Sequence, residues 1–292
     1  MTLPVQLLLI LLAAAQPSAA EQLERDPCSI ALCASRIARP DLGSAMPISL
    51  EHRQGSLWRG QVEPGSRVAL DGRAVSVAPD GAFLIAFDRD HAATARLTII
   101  PAGNSPRHIA LSVAPRQWRL QRVNVARNLP REGEESWTRR EAEVLRTQAA
   151  RAQQTAAEGW RQDFIWPARG RISGRFGSQR IYRGEPGSYH GGVDVAAATG
   201  SPVVAPADGV VVLAAPGFSL EGNLVIVDHG FGLSSSFLHL SRIDVSEGQT
   251  IRQGERLGAV GATGRATGPH LHWALNWNGA KLDPERVVPA ME

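Results

Sequence analysis

Five of the eight histidines in this 292-residue chain fall between residues 190 and 272, and four of them join Asp194 in one group: His190, Asp194, His239, His270 and His272. Imidazole nitrogens and carboxylate oxygens are what a zinc ion takes as ligands. A catalytic zinc uses three of them and keeps a fourth position for water, whose pKa falls from about 16 to about 7. In His190-Gly191-Gly192-Val193-Asp194 the two glycines and the following Val-Asp-Val argue against a helix, so a turn or bulge entering a strand must bring His190 and Asp194 together. His270-Leu271-His272 reads as a strand, which puts both imidazoles on one face and Leu271 on the other. His239 lies in the strand-like run Ser234 to Leu240, with Leu238 and Leu240 expected on the face opposite to it. His190, Asp194 and one member of the His270/His272 pair meet the zinc requirement. The two remaining histidines are then free to act as general base and as donor to a developing oxyanion. His229, in Val227-Asp228-His229-Gly230, reads as a turn residue outside the site.

These groups need a rigid frame, and the pattern from about 165 to 288 supplies one. The runs Pro202 to Ala205, Gly209 to Ala214, Asn223 to Val227, Leu233 to Leu240 and His270 to Asn276 are strand-like and lack helical periodicity, which predicts an all-β domain. Upstream, residues 47–128 alternate apolar and polar positions between turn signals, with a hairpin at Asp71-Gly72, as in a small antiparallel β-sandwich whose expected role is a spacer. Between them, residues 129–164 form a helical linker: the stretch from about 131 to 163 is rich in Glu, Arg, Gln and Ala, and Thr138 with Glu141 makes a capping-box signature. Trp137, Val144 and Leu145 are expected to lie against a neighbour and the charged remainder to face solvent.

Residues 1–20 carry the apolar run Leu7 to Ala15 followed by small residues, the form of a cleaved secretory signal, and the run falls short of the ~20 apolar residues that span a bilayer. An exported, periplasmic protein is expected, with secretion or retention by an uncleaved N-terminal segment as the alternatives. In the segment 21–46, Cys28 and Cys33 stand close enough for a local disulfide in that setting. The net charge of +3 arises from dispersed arginines, and Lys281 is the sole lysine. A mildly basic surface suits an anionic partner such as cell wall. Nucleic-acid binding would want a clustered basic stripe, and none is visible. A serine hydrolase is disfavoured because no G-x-S-x-G elbow occurs and Ser234 to Ser236 sit on a strand with His239. A biotinyl or lipoyl carrier needs a lysine at the tip of the Val203 to Val211 hairpin, from which Lys281 is remote.

With the H-x-x-x-D of His190 to Asp194, the His239-Leu240 pair and the H-x-H of His270 to His272 in this order, the chain resembles the M23 metallopeptidases of the lysostaphin/LytM-like group. Gly174 to Phe176, Val193-Asp194-Val195, Ala205 to Val210 and Gly264 to His272 extend the resemblance over roughly the last 125 residues. The resemblance implies a mainly antiparallel β domain and one Zn2+ held by His190, Asp194 and His272, with His239 and His270 as the catalytic pair. It also implies metal-activated water attacking the scissile amide in peptide cross-links of bacterial peptidoglycan. The N-terminal β region resembles the small sandwich preceding this domain in some Gram-negative members, whose cross-link is D-alanyl to meso-diaminopimelate, which makes a DD-endopeptidase the expected type. The alternative is a catalytically silent wall-binding regulator or amidase activator. Phe237 stands where many members have Tyr, so a hydroxyl from that position is missing, and Tyr182 and Tyr189 are the only tyrosines able to replace it.

Overall fold

The N-terminal run folds as its alternation predicts, into short strands: β1 (Leu57–Gln61), β2 (Arg67–Leu70), β3 (Arg73–Val75), β4 (Ala82–Ala86), β5 (Thr94–Ile100) and β6 (Arg107–Ser112). β1 pairs with β4, and β3-β2-β5-β6 form a second sheet. Asp71 and Gly72 at the β2–β3 turn both have positive φ, 48° and 80°, as a two-residue hairpin loop of matching twist requires. Leu57, Phe83, Leu84, Ile85, Phe87 and Leu97 fill the space between these strands. The computed structural model describes residues 52–126 and 134–291, and the described elements fall in one unit, Ser44–Glu292. The expected signal segment, Cys28 and Cys33 lie outside the described residues.

After β7 (Leu120–Val123) the chain forms α1 (Glu134–Ala152), whose limits correct the sequence reading twice. The helix starts upstream of Thr138, so Thr138 and Glu141 lie inside it and do not cap it. It also ends at Ala152, well short of 163. The packing expectation is reversed at two positions: Trp137 and Leu145 are 61% and 58% exposed, and Val144 is half-buried. Ala150 instead supplies the apolar contact, against Val212, Leu213, Ala215, Leu224 and Ile226. Nor is the charged face merely solvated. Arg140 holds both carboxylate oxygens of Glu221, at 2.6 and 2.8 Å, and the buried Glu143 accepts from Ser219 N at 2.8 Å. These partners lie on the loop between two sheet strands, which no reading of the helix alone reveals.

The C-terminal part adds β8 (Arg171–Gly174), β9 (Gln179–Tyr182), β10 (Glu185–Tyr189), β11 (Val193–Ala196), β12 (Pro202–Val204), β13 (Gly209–Phe218) and β14 (Gly222–Asp228). They are followed by β15 (Leu233–Leu240), β16 (Arg242–Ile243), β17 (Thr250–Ile251), β18 (Arg256–Ala259), β19 (His270–Trp277) and β20 (Ala280–Leu282). The main sheet runs β17-β13-β14-β15-β19-β11-β8, antiparallel throughout, with β20 also on β19. One face buries Val193, Val195, Phe237, Leu271, Trp273 and Leu275 completely. Among the described residues, the mainly β architecture with one connecting α-helix is the one the sequence predicts. β7 pairs in parallel with β9, Leu120 opposite Gln179, so the polypeptide upstream of the helix contributes a strand to the hairpin that leads into His190.

Candidate metal centre

Antiparallel register does most of the assembly. Asp194 on β11 lies directly opposite His272 on β19, and since Val193, Val195, Leu271 and Trp273 all point into the core, Asp194 and His272 must share the outer face. His190 precedes β11 by the Gly191-Gly192 turn. Its backbone is fixed from both sides, its N–H donating to Ser178 O at 2.8 Å and its C=O accepting from Gly177 N at 2.9 Å. The result is a triangle: His190 Nε2 to Asp194 Oδ1 at 3.0 Å, His190 Nε2 to His272 Nδ1 at 3.0 Å, and His272 Nδ1 to Asp194 Oδ1 at 2.8 Å.

Two glycines make room for this triangle. A Cβ at Gly174, opposite Asp194 on β8, would stand 2.2 Å from Asp194 Oδ2, and one at Gly192 would stand 2.3 Å from Trp273 O and 2.9 Å from His272 Nε2. The β8 backbone therefore seats one carboxylate oxygen while the other faces the histidines. His190 Nδ1 lies 3.1 Å from Arg175 O; a carbonyl can only accept, so Nδ1 carries a proton and Nε2 is the ring atom turned toward Asp194 and His272, where a proton can be held or given up. Burial alone would raise the Asp194 pKa, but hydrogen bonds from His190 and His272 hold it well below the usual carboxylate range. For His190 the order is reversed: burial opposes the charged ring, and the Asp194 hydrogen bond overcomes it, raising its pKa. His272 is lowered, chiefly by burial. Two imidazoles and an ionised carboxylate on a common point, with the His190 tautomer set from behind, is a donor set that fits zinc.

His270 and His239 stand beside the triangle. Their rings lie 4.8 Å apart, and His270 Nε2 is 3.9 Å from Asp194 Oδ1. His270 Nδ1 is 2.8 Å from Gly268 O and His239 Nδ1 is 2.9 Å from Thr263 O, which by the same reasoning leaves each Nε2 as the free position. Burial lowers the His239 pKa. The structure thus brings all five sequence-predicted residues to one face.

How His239 arrives there departs from the expected strand geometry. Between the Val225–Phe237 and Asn223–Leu240 pairs, β14 has one residue and β15 has two, Leu238 and His239. This is a β-bulge, and His239 sits in the left-handed region at φ 65°. Leu238 and Leu240 do not share a face opposite His239; they join different apolar clusters, because the bulge breaks the two-residue alternation. Phe237 is fully buried across from Trp273 on the core face. Tyr189 packs against Phe176, with the Arg89 guanidinium 4.7 Å and the Lys281 ammonium 5.2 Å from its ring centroid. His229, just after β14, is fully buried, bonded to Asp208 O and Ser235 Oγ, each at 2.8 Å, and burial pushes its pKa down to about 4.

Residues 188–284 match the model of Peptidase family M23. These residues form an M23 peptidase domain. The chain is 40% identical over 117 residues, 39% of its length and 26% of the relative's, to the peptidoglycan DD-endopeptidase ShyA of Vibrio cholerae. It is 33% identical over 152 residues, 50% of its length and 24% of the relative's, to the cell division protein DipM of Caulobacter vibrioides. It thus spans about a quarter of the length of these curated relatives. A solved structure of a peptidase M23 from Pseudomonas aeruginosa superposes on 84% of this chain and 98% of its own with a TM-score of 0.64 at 28% identity. That superposition extends beyond the M23 domain into the residues upstream of it.

The site residues that sequence reasoning missed are the supporting ones. Arg89, on the loop after β4, is buried and donates to Gly177 O at 3.1 Å and Gln179 Oε1 at 2.9 Å, the segment that pins the His190 backbone. Nothing local marks an arginine as such a brace. Gly174 was legible only through its place in the family's frame.

Proposed function

We propose that the chain is an exported zinc endopeptidase that hydrolyses peptide cross-links of bacterial peptidoglycan, of the DD-endopeptidase type. The observation that carries this is the joint placement, on one face of the main sheet, of the His190–Asp194–His272 triangle and two further histidines with free Nε2 atoms. In this reading His190, Asp194 and His272 are the ligands, and a zinc ion bound there supplies Lewis acidity toward the scissile carbonyl and acidifies water. His239, held neutral by burial, accepts the proton of the attacking water at Nε2 and returns it to the leaving amine. His270 Nε2 lies close enough to donate to the developing oxyanion, and the two rings can exchange these roles. The names of the relatives, the M23 match and the absence, among the described residues, of a helix long and apolar enough to cross a membrane accord with action on the wall from the periplasm.

The test is a muropeptide profile of purified sacculi treated with the mature protein, with and without chelator, alongside Asp194→Ala. Loss of cross-linked dimers with matching growth of uncross-linked peptides, abolished in both controls, is expected. His239→Ala and His270→Ala should each retain about one zinc while losing roughly 10²–10⁴-fold in turnover. An unchanged profile from zinc-loaded wild-type protein overturns the assignment in favour of a wall-binding regulator.

A further inference from the structure

The outer face of the main sheet does not end at the histidines. Along β19 the residues that share the His270/His272 face are Ala274 and Asn276, and their cross-strand partners are Ser236 on β15 and Lys281 on β20. From His272 to Ala274 is about 7 Å along the strand, the span of two residues of an extended peptide. Arg151, in the last turn of α1, reaches this point and donates from Nη2 to Ser236 Oγ at 3.1 Å. Its Nε is enclosed and has no hydrogen-bond partner among the described residues. Lys281 is exposed, its stem running beside Gly191, where a Cβ would lie 3.3 Å from Lys281 Cδ.

Two cations therefore border the metal centre from opposite sides of β19, and neither forms an ion pair among the described residues. Glu221, whose charge reaches Arg151, has both oxygens taken by Arg140. Lys281 is exposed overall, but its ammonium lies against the Tyr189 ring, and partial burial there and then the Arg151 charge disfavour its charged form, so the pair repels itself in the free protein. A bound anion beside the two cations would relieve that repulsion. Arg151 comes from the connecting helix, outside residues 188–284, so the M23 domain alone does not carry this feature.

We propose that Arg151 and Lys281 form a carboxylate-binding subsite that holds a free carboxylate of the cross-linked peptide about two residues from the scissile bond. The proposal rests on the endopeptidase reading for its substrate and adds what that reading leaves open, the chemical feature by which the peptide is selected. The carboxylate is either the terminal one of a stem or a side-chain one of the branching residue. Amidation of each in turn distinguishes them.

The experiment uses the mature chain and three synthetic cross-linked peptide dimers: unmodified, amidated at the terminal carboxylate, and amidated at the side-chain carboxylate. One amidation is expected to lower kcat/KM by roughly tenfold or more, mainly through KM, as loss of a charge-assisted hydrogen bond predicts. In Arg151→Gln and Lys281→Gln the ratio between free and amidated peptide should fall toward one. Lys281 is exposed, so its variant tests the subsite even if Arg151→Gln loosens the helix. Calorimetric binding of the same peptides to Asp194→Ala chain gives a readout independent of turnover. Equal handling of all three peptides by wild type, or discrimination retained in both variants, overturns the subsite and leaves the endopeptidase reading standing. Absence of cleavage combined with Arg151-dependent preference in binding removes the endopeptidase reading and leaves the subsite.

Discussion

Replacing Gly174 with alanine tests whether the β8 backbone positions Asp194, the proposed metal ligand. The glycine has no positive φ, so alanine adds no backbone strain there, only a methyl group. That methyl carbon would lie 2.2 Å from Asp194 Oδ2, 2.9 Å from Cγ and 3.2 Å from Cβ. Ordinary contact needs about 3.4 Å or more, so the carboxylate must retreat by about 1 Å, half a zinc–oxygen bond length. Oδ1 moves with it, away from His190 Nε2 and His272 Nδ1. A displacement of this size at a ligand amounts to a lost or badly bent bond, and roughly a 100-fold loss of zinc affinity is expected, about 2.7 kcal/mol. The cost to the metal-free fold should be smaller, about 1–2 kcal/mol of local overpacking. Competition with a chromogenic chelator measures the first and denaturant unfolding in the presence of chelator the second. Zinc affinity equal to wild type in Gly174→Ala would refute the idea that the Gly174 backbone seats the carboxylate.

His239 occupies the left-handed region, so His239→Gly should be more stable than His239→Ala by about 1 kcal/mol in denaturant melts, while both lose turnover. His229 is held neutral with a pKa near 4, below its unfolded value of about 6.5, so the unfolded chain binds the extra proton. Its contribution is present in full above pH 6.5 and is lost as pH falls toward 4, by up to about 3 kcal/mol, and this part of the acid slope should vanish in His229→Gln. Arg89→Ala removes the brace on Gly177 and Gln179 and should lower zinc affinity roughly 10-fold, an effect Arg89→Lys should not rescue because one ammonium cannot span both acceptors, measured again by chelator competition. Unchanged affinity in Arg89→Ala would mean the upstream strands act only as a spacer.

The sequence by itself determined most of the elements and the residue types that the site brings together. The two-residue alternation of His270-Leu271-His272 puts both imidazoles on one face whatever else happens, and the Val-Asp-Val run does the same for Asp194, because side-chain direction in a strand is a local property. The type of residue at each of the five positions was likewise readable without coordinates. What only the tertiary structure decided was non-local. The register that sets Asp194 opposite His272 joins residues far apart in the chain. The bulge that turns His239 toward them arises from one strand being a residue longer than its partner between two pairings, and no periodicity in β15 announces it. Thr138 and Glu141 had the right spacing for a cap, yet the helix begins a turn earlier, and its arginines and Glu143 find partners near Ser219 and Glu221 on another strand pair. Gly174, Arg89, Arg151 and Lys281 matter through what lies across a gap from them, and such distances are fixed by how separate strands pack, not by the order of residues along any one of them.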